Sequence, residues 1–244
     1  MRYPGGKNQE GVAQWIINQM PPHALYVEAF AGSGAILRTK KLAASSIAID
    51  CDASASADLA SYFSSIGSVQ VLNVDAIAYL QKMRCPQTTL IYCDPPYLME
   101  TRRGKKSIYR HEFSRREQHV KLLEVLQGLN CMVMISGYRS SLYDAVLQGW
   151  RRVDKTVTLR GGQKACESLW MNYAEPVALH DYRFLGESFR ERERLKRIQN
   201  NLKNRLMQMP ILERRALLEA IAEIDGASCT VHVHIAENSG ASGG

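Results

Sequence analysis

The chain has 244 residues, 45% of them hydrophobic, with a formal net charge of +7 and a pI near 9.1. That length suits one large domain, or one domain with an appendage, and the composition is that of a globular protein with a real core. No apolar run approaches the ~20 residues of a membrane span, and the opening Met1–Lys7 (MRYPGGK) lacks the pattern of a secretory leader, so neither a membrane nor a secreted protein is expected.

Residues 9–20 carry helical spacing, which Pro21 and Pro22 end. Leu25–Glu28 reads as a strand, followed by a glycine-containing turn, Phe30–Ala35 (FAGSGA), and a helix to about Leu42. Ser46–Asp50 is a second strand with an acid at its end. A helix near 53–65 leads to a third strand, 69–74, capped by Asp75. A helix to about Met83 precedes the fourth strand, Thr89–Cys93 (TLIYC), which runs into Asp94-Pro95-Pro96-Tyr97. A helix near 114–128, a strand at 131–136, a helix at 139–148 and strands at about 151–159 and 167–174 complete the series. Short apolar strands alternating with helices predict an α/β fold, mainly parallel and covered on both faces. Functional groups then belong at the carboxyl ends of the strands.

After Pro176 the character changes. Residues 187–224 read as one or two long polar helices interrupted at Pro210, and 236–244 as a disordered tail. The expected domains are a catalytic domain over 1–180, with 98–113 as its substrate loop, and a basic helical extension over 187–224. Residues 230–235 alternate like a strand, where His232 and His234 read as surface rather than as ligands. The six cysteines form no CxxC pair and no zinc spacing, so no metal is expected. They suit a reducing cytoplasm.

Asp94–Tyr97 is the most specific chemical signal. Prolines have no amide hydrogen, so no helix starting there ties up the loop's carbonyls. The Asp94 carboxylate and the Pro95 carbonyl are both acceptors for one exocyclic amino group, and Tyr97 is placed to lie against the ring that carries it. This describes a site for a planar aminated heterocycle such as adenine or cytosine. The turn containing Phe30, Gly32 and Gly34 lets a ligand approach the backbone closely, and it lacks the Lys-Ser/Thr of a phosphate-binding loop. Asp50 is placed to bind a ribose diol, with Asp52 as a competitor that starts the next helix. Asp75 reads equally as an adenine contact or a helix cap. Together these residues outline a nucleoside-bearing cofactor, which S-adenosylmethionine fits better than NAD or ATP.

Four ordered motifs, residues 2–7 (RYPGGK), 28–35 (EAFAGSGA), 49–52 (IDCD) and 91–97 (IYCDPPY), resemble those of the D12-class, Dam-like DNA adenine methyltransferases over roughly residues 1–175. The resemblance implies a class I methyltransferase fold, Rossmann-like, with a seven-stranded sheet whose last strand is reversed. It also implies transfer of a methyl group from S-adenosylmethionine to adenine N6 in DNA. It assigns Tyr3, Gly5, Gly6 and Lys7 to the amino-terminal cofactor motif, Asp50 to the ribose, Asp94 to catalysis and cofactor contact, and Tyr97 to stacking on the target base. The chain departs from the Dam pattern in one respect. Only 18 residues separate Asp75 from Asp94, which leaves no room for the usual target-recognition insert, so a compact branch with relaxed specificity is expected.

The net charge favours an anionic partner. Arg102, Arg103, Lys105 and Lys106, with Arg110, Arg115, Arg116 and Lys121, follow the catalytic loop directly; with Arg2, Tyr109 and Tyr138 they are the expected DNA contacts. The seven basic residues of 190–205 read either as a second phosphate-contacting arm or as a homodimer helix. Cytosine N4, RNA or a protein amide is an alternative target of the same chemistry. A catalytically inactive nucleic-acid-binding module is the alternative from another class.

Overall fold

The computed structural model describes residues 7, 11–101, 113, 115–158, 164–186 and 188–229. Seven strands form one sheet: β1 (Leu25–Ala29), β2 (Ser45–Asp50), β3 (Val69–Asn73), β4 (Thr89–Cys93), β5 (Met132–Gly137), β6 (Arg151–Thr158) and β7 (Lys164–Met171). Their order across the sheet is β3-β2-β1-β4-β5-β7-β6. The first five are mutually parallel, and β7 runs antiparallel to both β5 and β6. This is the class I methyltransferase order with its reversed last strand, as expected. The strand order changes direction between β1 and β4, and such a switch point is where open α/β sheets bind their ligands.

The short helices α1 (Val12–Ile17), α2 (Ala35–Thr39), α3 (Ala53–Tyr62), α4 (Ala76–Lys82), α5 (Arg116–Gln127) and α6 (Ser141–Val146) divide between two layers. Ile16, Ile17, Ile36, Leu37, Leu59 and Phe63 pack with Tyr26, Leu90, Tyr92, Met134 and Leu169 on one face of the sheet. Ile77, Leu80, Leu122, Leu123, Leu126 and Leu142 pack with Val27, Ile91, Cys93, Ile135 and Trp170 on the other. Alternate residues of each central strand therefore enter different cores. That explains why β4 is buried at all five positions and reads as an unbroken apolar run.

The helices are shorter than their periodicity suggests, and aspartates fix where two of them begin. The Asp52 carboxylate accepts from the Ser54 and Ala55 amides at the start of α3. Asp75 accepts from Ala78 at 2.7 Å and starts α4, so the cap, one of its two readings, is observed. Two further helices, α7 (Phe189–Gln208) and α8 (Ile211–Cys229), flank Pro210; α8 continues past the expected end at 224. Within the described residues, 190–229 forms its own compact unit. Helix α7 buries none of its residues, and exposes Ile198 and Leu202 as well as its basic side chains. The expected strand with His232 and His234, and the tail 236–244, lie outside the described residues. No described helix is long and apolar enough to cross a membrane.

Gly34 illustrates how tightly the first turn is built. Its φ is +64°, and a Cβ there would lie 2.4 Å from a methyl of the fully buried Leu59. Left-handed backbone and overpacking each carry a cost for a residue with a side chain. Gly34→Ala is expected to destabilise the fold by roughly 1–3 kcal/mol in urea unfolding.

Candidate active site

The carboxyl ends of β1, β2 and β4 gather the predicted acids. The Ala29↔Cys93 register sets the first turn beside the fourth-strand loop, and the Asp94 amide donates to the Ala29 carbonyl at 3.3 Å. Asp94 therefore starts beside the turn at 30–34. Tyr92, Ser136 and Asp94 fall on one face of the sheet. The Ser136 hydroxyl donates to Asp94 Oδ1 at 2.8 Å and lies 3.0 Å from the Tyr92 hydroxyl.

Lys7 reaches into this group from the amino-terminal segment and is 95% buried. Its ammonium donates to Asp94 Oδ1 at 2.7 Å and to the Tyr97 hydroxyl at 2.5 Å, and pairs with Glu167 Oε1 at 2.9 Å. Those three partners account for its three hydrogens. The Tyr97 hydroxyl in turn donates to Glu167 Oε1 at 2.9 Å. The Tyr97 and Tyr138 rings pack with centroids 4.4 Å apart. Burial pushes the Lys7 ammonium down, but the Asp94 and Glu167 carboxylates outweigh it and hold its pKa well above the ordinary lysine value. Burial raises the Asp94 carboxyl, with Glu167 adding to the rise and Lys7 opposing it.

Glu167 belongs to this cluster, and the sequence reading did not place it there. Its charge lies in β7 two residues before the apolar run Leu169–Met171, which was the available signal. An acid at the amino end of a strand would normally sit on the far edge of a parallel sheet. Because β7 is reversed and Gly137 pairs with Ser168, Glu167 instead lies one step beyond the carboxyl end of β5.

On the cofactor side, Asp50 holds the turn itself. Its Oδ2 accepts from the Gly32 amide at 2.7 Å and its Oδ1 from the Asp52 amide at 2.8 Å, and it is 94% buried. Asp75 is exposed at the same edge. Phe30 takes a left-handed φ of 59°, which for a bulky residue costs on the order of 1–3 kcal/mol. Its ring meets Phe113, centroids 5.0 Å apart, and Phe113 meets the buried His119, so the end of the expected substrate loop is anchored beside the turn. Behind the turn, Glu28 accepts from the Tyr26 hydroxyl at 2.9 Å and the Leu37 amide at 2.8 Å. Arg2, Tyr3, Gly5, Gly6, Arg102, Arg103, Lys105, Lys106 and Tyr109 lie outside the described residues. Among the described residues no His, Cys, Asp and Glu cluster is suited to a metal ion.

Residues 51–158 match the model of the family described as D12 class N6 adenine-specific DNA methyltransferase. The match supports the resemblance, marks the chain as a methyltransferase and implies S-adenosylmethionine as cofactor. It includes Asp94–Tyr97 and stops short of Lys7, the first turn and Glu167. No curated protein matches the sequence. Among solved structures, the chain is similar to the yhhF protein of Escherichia coli, with 18% identity, 70% of this chain and 90% of that one covered, and a TM-score of 0.47. It is also similar to the 23S rRNA methyltransferase ErmE (15% identity, coverages of 71% and 72%, TM-score 0.47). A dimethyladenosine transferase from Plasmodium falciparum is a third (13% identity, coverages of 65% and 59%, TM-score 0.42).

Burial raises the Glu28 carboxyl to about 7, against the opposing bonds from Tyr26 and Leu37. Between its unfolded value near 4.5 and about 7, the folded chain holds a proton that the unfolded chain has released. Stability therefore falls as pH rises through that window, by about 3 kcal/mol for this group alone. Glu28→Gln is expected to raise the melting temperature relative to wild type more at pH 8 than at pH 5; equal offsets at the two pH values would rule out the assignment.

Proposed function

We propose that the protein transfers the methyl group of S-adenosylmethionine to the N6 amino group of adenine in DNA, with relaxed sequence specificity. The observation that carries this reading is Asp94, a mostly buried carboxylate at the switch point of the sheet, next to Tyr97 and within the matched D12 segment.

The donor set fits the cofactor. The backbone turn at 30–34, Asp50 and Asp75 share one sheet edge and offer acceptors and close backbone approach, without a phosphate-binding lysine. Asp94 and Glu167 outnumber Lys7 in carboxylate charge, which suits a cationic ligand. When bound, S-adenosylmethionine supplies an electrophilic methyl group on a sulfonium.

The chain's own residues prepare the nucleophile. An adenine amino nitrogen is a poor one, because its lone pair is delocalised into the ring. Asp94 and the Pro95 carbonyl accept its two hydrogens and localise that pair. The developing positive charge on nitrogen meets a carboxylate fixed by Ser136, so little reorganisation is needed. Asp94, its pKa raised by burial, is the nearest base for the proton that the methylated nitrogen must lose. Tyr97 stacks on the base, a contact worth about 1–3 kcal/mol against the cost of taking it out of the duplex. Helix α4 and strand β4 fill the stretch between Asp75 and Asp94, which leaves no recognition insert there. Specificity is therefore expected to extend one or two bases around the target, with phosphate contacts from the basic segments at 102–121 and 190–205 providing affinity. The alternative role of α7, in a homodimer, is left to its exposed Ile198 and Leu202.

Digestion of treated DNA to nucleosides with mass detection tests the reading. N6-methyladenine is the expected product, and cytosine N4 methylation or modification of RNA alone would replace it. Strict methylation of a site of four or more bases would remove the relaxed specificity. Asp94→Ala is expected to abolish transfer. Tyr97→Ala is expected to lose much more activity than Tyr97→Phe, which keeps the ring but leaves Glu167 without its hydroxyl donor; equal rates would count against stacking.

A further inference from the structure

Glu167 takes no direct part in the transfer step above, yet it is 95% buried and bonds both Lys7 and Tyr97. It pairs with Lys7 at 2.9 Å and accepts from the Tyr97 hydroxyl at 2.9 Å through the same oxygen, Oε1. The Lys7 ammonium also holds Asp94 Oδ1 at 2.7 Å, the carboxylate that must accept the substrate's amino hydrogen. Lys7 and an incoming amino group thus draw on the charge of one carboxylate, with Lys7 already on Oδ1. A buried ammonium does not give up a carboxylate without another to replace it, because the unpaired charge is costly. Glu167 is that second carboxylate, already in contact.

We propose that Glu167 is a positioning residue of the transfer site: it retains the Lys7 ammonium while Asp94 turns to the substrate's amino group, and it fixes the Tyr97 ring through the hydroxyl. The proposal rests on the methyl-transfer reading for its kinetics, though not for the ion pair itself. The geometry gives it a direction. The Tyr97 hydroxyl donates to Glu167 and accepts from Lys7, so Lys7 can leave Asp94 and keep two partners on one side of the pocket. Without the Glu167 charge, Asp94 is the only anion bonded to Lys7 among the described residues, and the ammonium is drawn more strongly onto the carboxylate that serves the substrate.

The test uses the full chain with the charge removed and the shape kept. Glu167→Gln still presents an oxygen to Tyr97 and is expected to lower kcat/KM for DNA about tenfold or more, with a smaller loss in the affinity for S-adenosylmethionine measured by calorimetry. Adding Lys7→Met to Glu167→Gln removes the competing donor and is expected to recover part of the loss. Unchanged kinetics in Glu167→Gln, or a loss that Lys7→Met deepens, overturns the proposal. Should Glu167→Gln fail to fold, Glu167→Asp keeps the charge on a shorter arm and is expected to retain more activity than Glu167→Ala; equal losses overturn the proposal. Melting temperatures of the two single variants and the double variant provide a readout without turnover: non-additive shifts are expected, and additive shifts overturn the proposal alone. A wild-type protein that methylates no nucleic acid would instead sink the functional reading, with the melting cycle still deciding whether Lys7 and Glu167 are coupled.

Discussion

A single buried ammonium, shared by two carboxylates and a phenol, ties together three distant parts of the chain. Lys7 comes from the amino-terminal segment, Asp94 and Tyr97 from the loop after β4, and Glu167 from the reversed strand β7. None of these groups is stable alone in the interior, since a buried charge that loses its partner costs several kcal/mol. The segments that carry them are therefore held in one arrangement by electrostatics as well as by packing. On the proposed function, the same arrangement places the acid that receives the substrate amino group beside a resident cation.

The reversed strand is what makes this arrangement possible. In a fully parallel sheet, the residues before an apolar strand lie on the edge away from the switch point. Pairing β7 antiparallel to β5 turns its leading end to the functional edge and delivers Glu167 next to Tyr138 and Tyr97. The chain beyond the family match therefore still contributes to the site, because strand direction places those residues at the centre.

The opposite side of the site is built on a different principle. The acids there stabilise backbone more than they neutralise cations. Asp50 grips the turn through the Gly32 amide, and Asp52 and Asp75 start helices. Glu28 secures the start of α2 through Leu37. Phe30 holds a left-handed backbone in the middle of the turn, and its ring contacts Phe113, which leads into α5 through His119. This rigid wall is preorganised for a ligand that needs acceptors and close backbone contact rather than a phosphate cradle.

The sequence by itself determined the alternation of strands and helices, the two-faced burial of β4, and the position of Asp94–Tyr97 and Asp50 at strand ends. These follow from local rules: apolar runs, caps, prolines and glycines act within a few residues of themselves. It also left Asp75 open between cap and ligand contact, since both roles place an acid at that position. The tertiary structure alone decided that Lys7 joins Asp94 as well as belonging to an amino-terminal motif, that Asp50 carries the turn, and that Glu167 enters the site at all. Those outcomes depend on strand order and direction, which bring Lys7 onto Asp94 across 87 positions and Glu167 onto Tyr97 across 70, and no local pattern encodes a distance of that kind.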